Sequence, residues 1–389
     1  MTSPSLKHRF PGAHNGWSRF DAPSGTQVVD VAIQAMVDWL SSGDNGCGDG
    51  PFAAADACDA VLDRARAGVG QLLNADPRGV SFGPNMTTIT FAFSRAIAET
   101  LQPGDRVVGT RLDHDANVTP WRKACDRAGA EHVLAPFDPE SGRLPAENVI
   151  NLIDEHTKWV TLPGASNLLG TVPDHAPIIE AAHAAGARVF IDAVAWVPHQ
   201  AVDVTALGVD AIVTSPYKWY APHSGALWLQ PDLMQELPVF KVRPSENRGA
   251  RRMETGMPNY EAIAGVEAAA RFLLEEGMDG IAAFETDVFT PLFEGLQSIP
   301  GVRLWGPQTL DGRTPTASFT IDGVSPAAAA SALADDKVAV WDGGAYAVEV
   351  LGQLGLEGTG GVIRAGVARY IEHDDVERLL TCVRRLATH

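Results

Sequence analysis

From Gly79 to Thr214, short apolar runs alternate with stretches of helical apolar spacing, and few folds accommodate that alternation. The runs are Val80–Phe82, Arg106–Thr110, His132–Ala135, Trp159–Leu162, Arg188–Ile191 and Ala211–Thr214. Helical spacing fills most of the intervals, as at Ala116–Ala128 and Ala176–Ala185. Repeated strand–helix order calls for an α/β fold, a mostly parallel sheet covered on both faces. Upstream, Val28–Leu40 and Ala53–Leu73 have helical spacing, with a Gly- and Asp-rich loop at 41–51 between them. The pattern fades near Pro238–Arg243 and gives way to a charged, irregular stretch at 244–256. Beyond it come helices at Tyr260–Glu276 and Gly280–Ile299, strands at Val302–Trp305 and Thr316–Ile321, a helix at Pro326–Ala334, a strand at Val362–Gly366 and a helix at Asp374–Ala387. The expected organisation is an arm at 1–27 contributing to the active site and small domain, a large domain at 28–255, and a smaller α/β domain at 256–389.

A net charge of -18 argues against nucleic acid and anionic membranes as partners. No apolar run reaches the roughly 18 residues of a membrane span. The N-terminus lacks the apolar segment of a signal peptide. The four cysteines, Cys47, Cys58, Cys125 and Cys382, show no metal-ligand spacing, so free thiols in the cytoplasm and no metal site are expected. Cys47 reads as an exposed, incidental thiol, and Cys58 and Cys382 as packed helix residues.

Ser215-Pro216-Tyr217-Lys218 follows the apolar run at 211–214 and precedes a second Gly-containing apolar run. A lysine among aromatic residues at a strand end is placed for burial. Burial without a counter-charge lowers an ammonium pKa and leaves a nucleophilic amine, which can form a Schiff base with an aldehyde cofactor. The alternative is a lysine whose stem packs while its charge reaches water. Ligands of such sheets sit at the carboxyl ends of strands, where five further features fall. Gly83–Thr88 follows a strand and opens a helix, so its backbone N–H groups and threonines suit a phosphate, or simply an N-cap by Asn85 or Thr87. His114 can stack on a flat ring, while Asp113 or Asp115 caps the following helix. Asn167 can bond a ring oxygen or substrate carboxylate, or serve a turn. Asp192 can pair with a protonated ring nitrogen, or cap. Arg364, inside an apolar strand, needs a carboxylate, from substrate or protein. A phosphate turn, a histidine, an aspartate and then Ser-x-x-Lys about 26 residues later is the order expected for pyridoxal phosphate.

Over nearly its full length the chain resembles class V aminotransferase-fold enzymes, the cysteine desulfurase-like group. The matching residues are Asn85-Met86-Thr87-Thr88, Asp113-His114-Asp115-Ala116-Asn117, Ser166-Asn167-Leu168-Leu169-Gly170-Thr171, Asp192 with Val197-Pro198-His199, Ser215-Pro216-Tyr217-Lys218, Glu254-Thr255-Gly256 and Arg364. The resemblance implies a pyridoxal-phosphate-dependent transferase fold of type I and a homodimer with shared active sites. By position, it implies that Lys218 holds the cofactor, Asp192 bonds its ring nitrogen and His114 stacks on the ring. The Met86 N–H, Thr87, Ser215 and Tyr217 would cradle the phosphate. Asn167 would face the ring oxygen or the substrate, and Arg364 would grip the substrate carboxylate, with Tyr346 nearby. Three departures stand out. The stretch Val340–Tyr346, where desulfurases carry a nucleophilic cysteine, has none. Ala195 stands where a glutamine often bonds the ring oxygen, and Met257 where a partner-subunit threonine binds phosphate.

A desulfurase-like frame without a sulfur-accepting thiol points to a lyase: C–S cleavage by β-elimination on an S-substituted cysteine-type amino acid. There the sulfur leaves as a thiolate, protonated by Tyr346 or Tyr217. The alternatives are an amino-acid epimerase or aminotransferase. A catalytically silent cofactor-binding protein is a further class, against which Lys218, Asp192, His114 and Arg364 together argue.

Overall fold

The computed structural model describes residues 5–388. The large sheet contains β1 (Val80–Gly83), β2 (Arg106–Thr110), β3 (Glu131–Ala135), β4 (Thr157–Pro163), β5 (Arg188–Asp192), β6 (Ala211–Thr214) and β7 (Gly225–Leu229). Their spatial order is β1-β7-β6-β5-β4-β2-β3. Strands β2 to β6 pair in parallel, and β7 alone runs against its neighbours β6 and β1. The carboxyl ends of β1, β2, β4, β5 and β6 therefore share one edge with the start of β7. The central strands are buried along their length, which is why they read as continuous apolar runs.

Helices α1 (Asp30–Ser41) and α2 (Ala53–Leu72) precede the sheet, and α3 (Met86–Ala98) and α4 (Thr119–Ala128) follow β1 and β2. A later helix, α5 (Tyr260–Glu276), packs on both α1 and α2. On the α3/α4 side, Phe93, Trp121, Trp159 and Phe190 form an aromatic core with ring centroids 5.3–5.9 Å apart. The helix expected from Ala116 begins only at Thr119, after a short 3-10 turn at Asp115–Asn117. Pro120 has no N–H to give and suits the first helical turn. Neither Asp113 nor Asp115 caps α4, whose N-cap Val118 makes no side-chain bond; the 3-10 turn before it is capped by His114, whose ring Nδ1 accepts the Ala116 N–H at 2.9 Å.

The second sheet is antiparallel, with β8 (Val302–Trp305), β9 (Thr316–Ile321), β10 (Trp341–Gly343) and β11 (Val362–Gly366) in the order β10-β11-β9-β8. The edge strand β10 was not expected. Both Trp341 and Asp342 are exposed, so it lacks the alternation that marks a half-buried strand. The arm packs on this region: Ser18–Arg19 pairs in parallel with Val338–Ala339, and Asp21 bridges to Gly366. A Cβ on Gly366 would lie 2.2 Å from Pro23, so only glycine lets the arm approach this closely. Among the described residues, no helix is long and apolar enough to cross a membrane.

Candidate active site

The shared strand edge forms one pocket. Met86, Thr87, His114, Asn167, Asp192, Tyr217 and Lys218 line it, with Pro163, Ala165, Val194 and Ala195. Each side chain arrives from a different element. Met86 and Thr87 open α3, His114 follows β2, Asn167 follows β4, Asp192 ends β5, and Tyr217 and Lys218 follow β6. The Met86 N–H donates to Ser215 Oγ at 3.1 Å, which joins the start of α3 to the turn before Lys218. Asn85 caps α3 by accepting the Thr88 N–H at 2.8 Å, which leaves the Thr87 hydroxyl at the pocket. Gly225, at the start of β7, faces this turn. A Cβ there would lie 2.5 Å from the Asn85 carbonyl carbon.

Lys218 is buried, and burial followed by the nearby charge of Arg364 draws its pKa down to about 7. Asp192 is buried too. Its Oδ1 accepts the Val194 N–H at 3.0 Å, and burial pushes its pKa up to about 6. Burial, with Lys218 and Arg364 nearby, draws His114 down to about 3, so its imidazole is neutral at physiological pH. Because Nδ1 accepts from Ala116, the ring proton sits on Nε2. Beneath it, Asp113 accepts from Thr110 at 2.5 Å and from Asn117 at 2.8 Å, and Asn117 accepts the Trp121 indole N–H at 3.1 Å. This buried network ties the His114 turn to β2 and α4.

Arg364 is buried on β11, and its pKa is drawn down to about 10 by burial. Its guanidinium donates to the Asn167 carbonyl at 2.8 Å and to Ser24 Oγ, while its Nε is buried without a partner. No carboxylate of the described residues forms an ion pair with it. Asn167 Nδ2 donates to the Ala345 carbonyl at 2.7 Å, and its Oδ1 is likewise buried and unpartnered. The Asp115 N–H donates to the Tyr346 carbonyl at 2.8 Å, and the Tyr346 and His114 rings lie 5.5 Å apart. Tyr346 is exposed at the mouth. All ten residues singled out from the sequence thus meet here. Ala195 lines the pocket with only a methyl group. Met257 does not: it is exposed beside a separate cavity bounded by Gly83, Pro84 and Thr88.

Ser24 and Thr26 carry no sequence signal, whereas His199 lies in the matched stretch Val197-Pro198-His199. Ser24 holds Arg364. Thr26 donates through its N–H and hydroxyl to the Tyr217 carbonyl, both at 3.0 Å, and accepts from the Tyr220 N–H. His199 bonds Glu285 at 2.8 Å behind the pocket, where Tyr220 also donates to Glu285. Among the cysteines, Cys47 is exposed and Cys58, Cys125 and Cys382 are buried; burial pushes Cys125 up to about 12. None lines the pocket.

The family model described as Aminotransferase class-V matches residues 19–379. An uncharacterized protein of Mycobacterium tuberculosis is 31% identical over 395 residues, 97% of this chain and 96% of its own. A cysteine desulfurase of Escherichia coli is 31% identical over 322 residues, 79% of this chain and 76% of its own. The crystal structure of the Escherichia coli cysteine desulfurase CsdA superposes with a TM-score of 0.89 at 25% identity, covering 98% of this chain and 97% of that one.

Proposed function

The chain belongs to the class-V aminotransferase family, a pyridoxal-phosphate-dependent, cysteine desulfurase-like group, and from that premise we propose that it is a C–S lyase acting on S-substituted cysteines. The donor set fits the cofactor: a buried amine with a depressed pKa, a buried carboxylate opposite, a neutral imidazole, a helix N-terminus beside Ser215, and a free amide oxygen on Asn167. Pyridoxal phosphate, when bound, supplies an aldehyde for an amine and a ring that accepts electrons. Lys218 would hold it, Asp192 its ring nitrogen, and Met86 N–H, Thr87, Ser215 and Tyr217 its phosphate.

Arg364 takes the substrate carboxylate. A buried guanidinium with a free Nε and no carboxylate partner among the described residues is prepared for one. Lys218, largely neutral above pH 7, accepts the Cα proton. The Cβ–S bond breaks, and the sulfur leaves with the electron pair as a thiolate. Tyr217 or Tyr346 returns a proton to it; burial holds the Tyr217 phenol above its usual range and so protonated. With one water, the products are a thiol, a keto acid and ammonium. The observation that carries this choice is the segment Val340–Tyr346. It is bonded to Asn167 and Asp115 at the edge of the pocket and presents a tyrosine, not a thiol. A homodimer is part of the proposal, with the exposed Met257 region facing the second copy.

The test is product analysis with S-methyl- and S-benzylcysteine. Thiol, pyruvate and ammonium in equal amounts are expected. A keto acid that retains sulfur would make the protein an aminotransferase. Deuterium entering Cα without product would make it an epimerase.

A further inference from the structure

The segment that closes the pocket is built under strain. Ala345 and Tyr346 both adopt left-handed backbone angles, φ 48° and 58°, each costing on the order of 1–2 kcal/mol for a non-glycine residue. Three hydrogen bonds hold them there: Asn167 Nδ2 to the Ala345 carbonyl, the Asp115 N–H to the Tyr346 carbonyl, and the Ala347 N–H to the Gly344 carbonyl. The outcome is a tyrosine ring fixed beside His114 yet 77% exposed. Trp341, 51% exposed, stands directly opposite Arg364 in the β10–β11 pairing. Opposed residues of an antiparallel pair carry their side chains on the same face, with Cβ atoms about 5 Å apart. The neighbouring charge, Glu349, is engaged by Arg111 at 2.9 Å and Arg122 at 3.2 Å. Two exposed aromatic rings therefore stand beside the carboxylate clamp and the stacking histidine, Trp341 at Arg364 and Tyr346 at His114.

We propose that Trp341 and Tyr346 form an apolar wall that selects substrates whose side chain ends in an apolar group, an aromatic one above all. For the sulfur this rests on the lyase function; for the apolar group it rests on the wall alone. An amino acid gripped by Arg364 directs its side chain away from the carboxylate, toward this mouth. A benzyl group there buries apolar area on two rings; a charged S-carboxymethyl group loses hydration and gains no partner.

Two measurements on the holoenzyme separate this inference from the lyase function. The first is kcat/KM for elimination from S-benzyl-, S-methyl- and S-carboxymethylcysteine. S-benzyl should exceed S-methyl by roughly 10- to 30-fold, the value of burying one ring, with S-carboxymethyl the poorest. Trp341→Ala and Tyr346→Ala should each reduce the ratio several-fold, and Tyr346→Phe should preserve it. The second is competitive binding of sulfur-free isosteres, 2-amino-5-phenylpentanoate against norvaline, which cannot eliminate a thiol. The phenyl compound should bind at least tenfold tighter, and less so in Trp341→Ala. Elimination with no benzyl preference would overturn the wall and leave the lyase standing. A phenyl preference in binding without elimination from any cysteine would overturn the lyase and leave the wall standing.

Discussion

The amine of Lys218 is the group to perturb first. Burial, then Arg364, draws its pKa from 10.5 to about 7. At pH 7 about half of such an amine is neutral, against roughly 0.03% of an ordinary lysine, because each pKa unit is a factor of ten. The folded protein thus presents on the order of a thousandfold more nucleophile at that pH. Cofactor-stripped enzyme mixed rapidly with pyridoxal phosphate between pH 5 and 9 should capture it at a rate that climbs about tenfold per pH unit below 7 and flattens above. Borohydride reduction followed by peptide mapping should place the label on residue 218, and Lys218→Arg should abolish it. The same shift sets a stability. The folded pKa lies below the unfolded one, so the unfolded chain binds more protons between about pH 7 and 10.5, and stability linked to this group rises with pH across that window. At about 1.4 kcal/mol per unit, Lys218→Met should stabilise the apoprotein at pH 7 by on the order of 4 kcal/mol, and the gain should vanish above about pH 10.5. A capture rate still climbing tenfold per unit at pH 9 would show an ordinary, solvated amine, and the site built around it would fall.

Three further substitutions probe the surrounding groups. Asp192 has a folded pKa of about 6 against 3.8, so its burial penalty is present above pH 6 and is lost as pH falls toward 4. Asp192→Asn should therefore stabilise the apoprotein at pH 7 by about 1–3 kcal/mol in urea unfolding, yet lower turnover by roughly a hundredfold. Arg364→Gln should raise KM about 10- to 100-fold, the value of a charged hydrogen bond, and move the capture profile of Lys218 to higher pH because a repelling cation is gone. In Gly225→Ala the new methyl would meet the Asn85 backbone at 2.5 Å, and backbone cannot yield as a flexible side chain does. Pyridoxal phosphate should bind at least about tenfold more weakly, with overpacking costing about 1–3 kcal/mol in thermal unfolding.

Much of this molecule is visible in its residue order because the physics that writes it is local. A buried parallel strand must be apolar along its length, so β2 and β6 fall at the bounds their apolar runs suggest, as β11 does, and most of β4 and β5 stands out. The polar residues just past those strands are conspicuous for the same reason. His114, Asp192 and Lys218 interrupt apolar runs at the edge where a doubly covered sheet leaves room for a ligand. What is missing from the residue order is what depends on company from afar. The edge strand β10 takes its form from its pairing with β11, not from any period of its own. Ser24 is one serine among many until Arg364, 340 residues later, turns toward it.

The same distance accounts for which residue caps the 3-10 turn that leads into α4. An aspartate is the default cap by propensity, and the segment holds two. Both are committed elsewhere: Asp113 to Thr110 and Asn117, and Asp115 to the Thr119 hydroxyl at 2.9 Å. The imidazole of His114 takes the cap, and so its Nδ1 is occupied and its ring is fixed in one plane. The cap of a single turn thus also fixes the plane of an imidazole that lines the pocket. His114→Asp should keep the turn and lose the ring that faces the pocket. The fold should unfold within about 1 kcal/mol of wild type, since one cap replaces another. The cofactor's visible circular dichroism should weaken and turnover should fall. Equal losses of stability and of cofactor signal would mean that His114 does no more than start the turn.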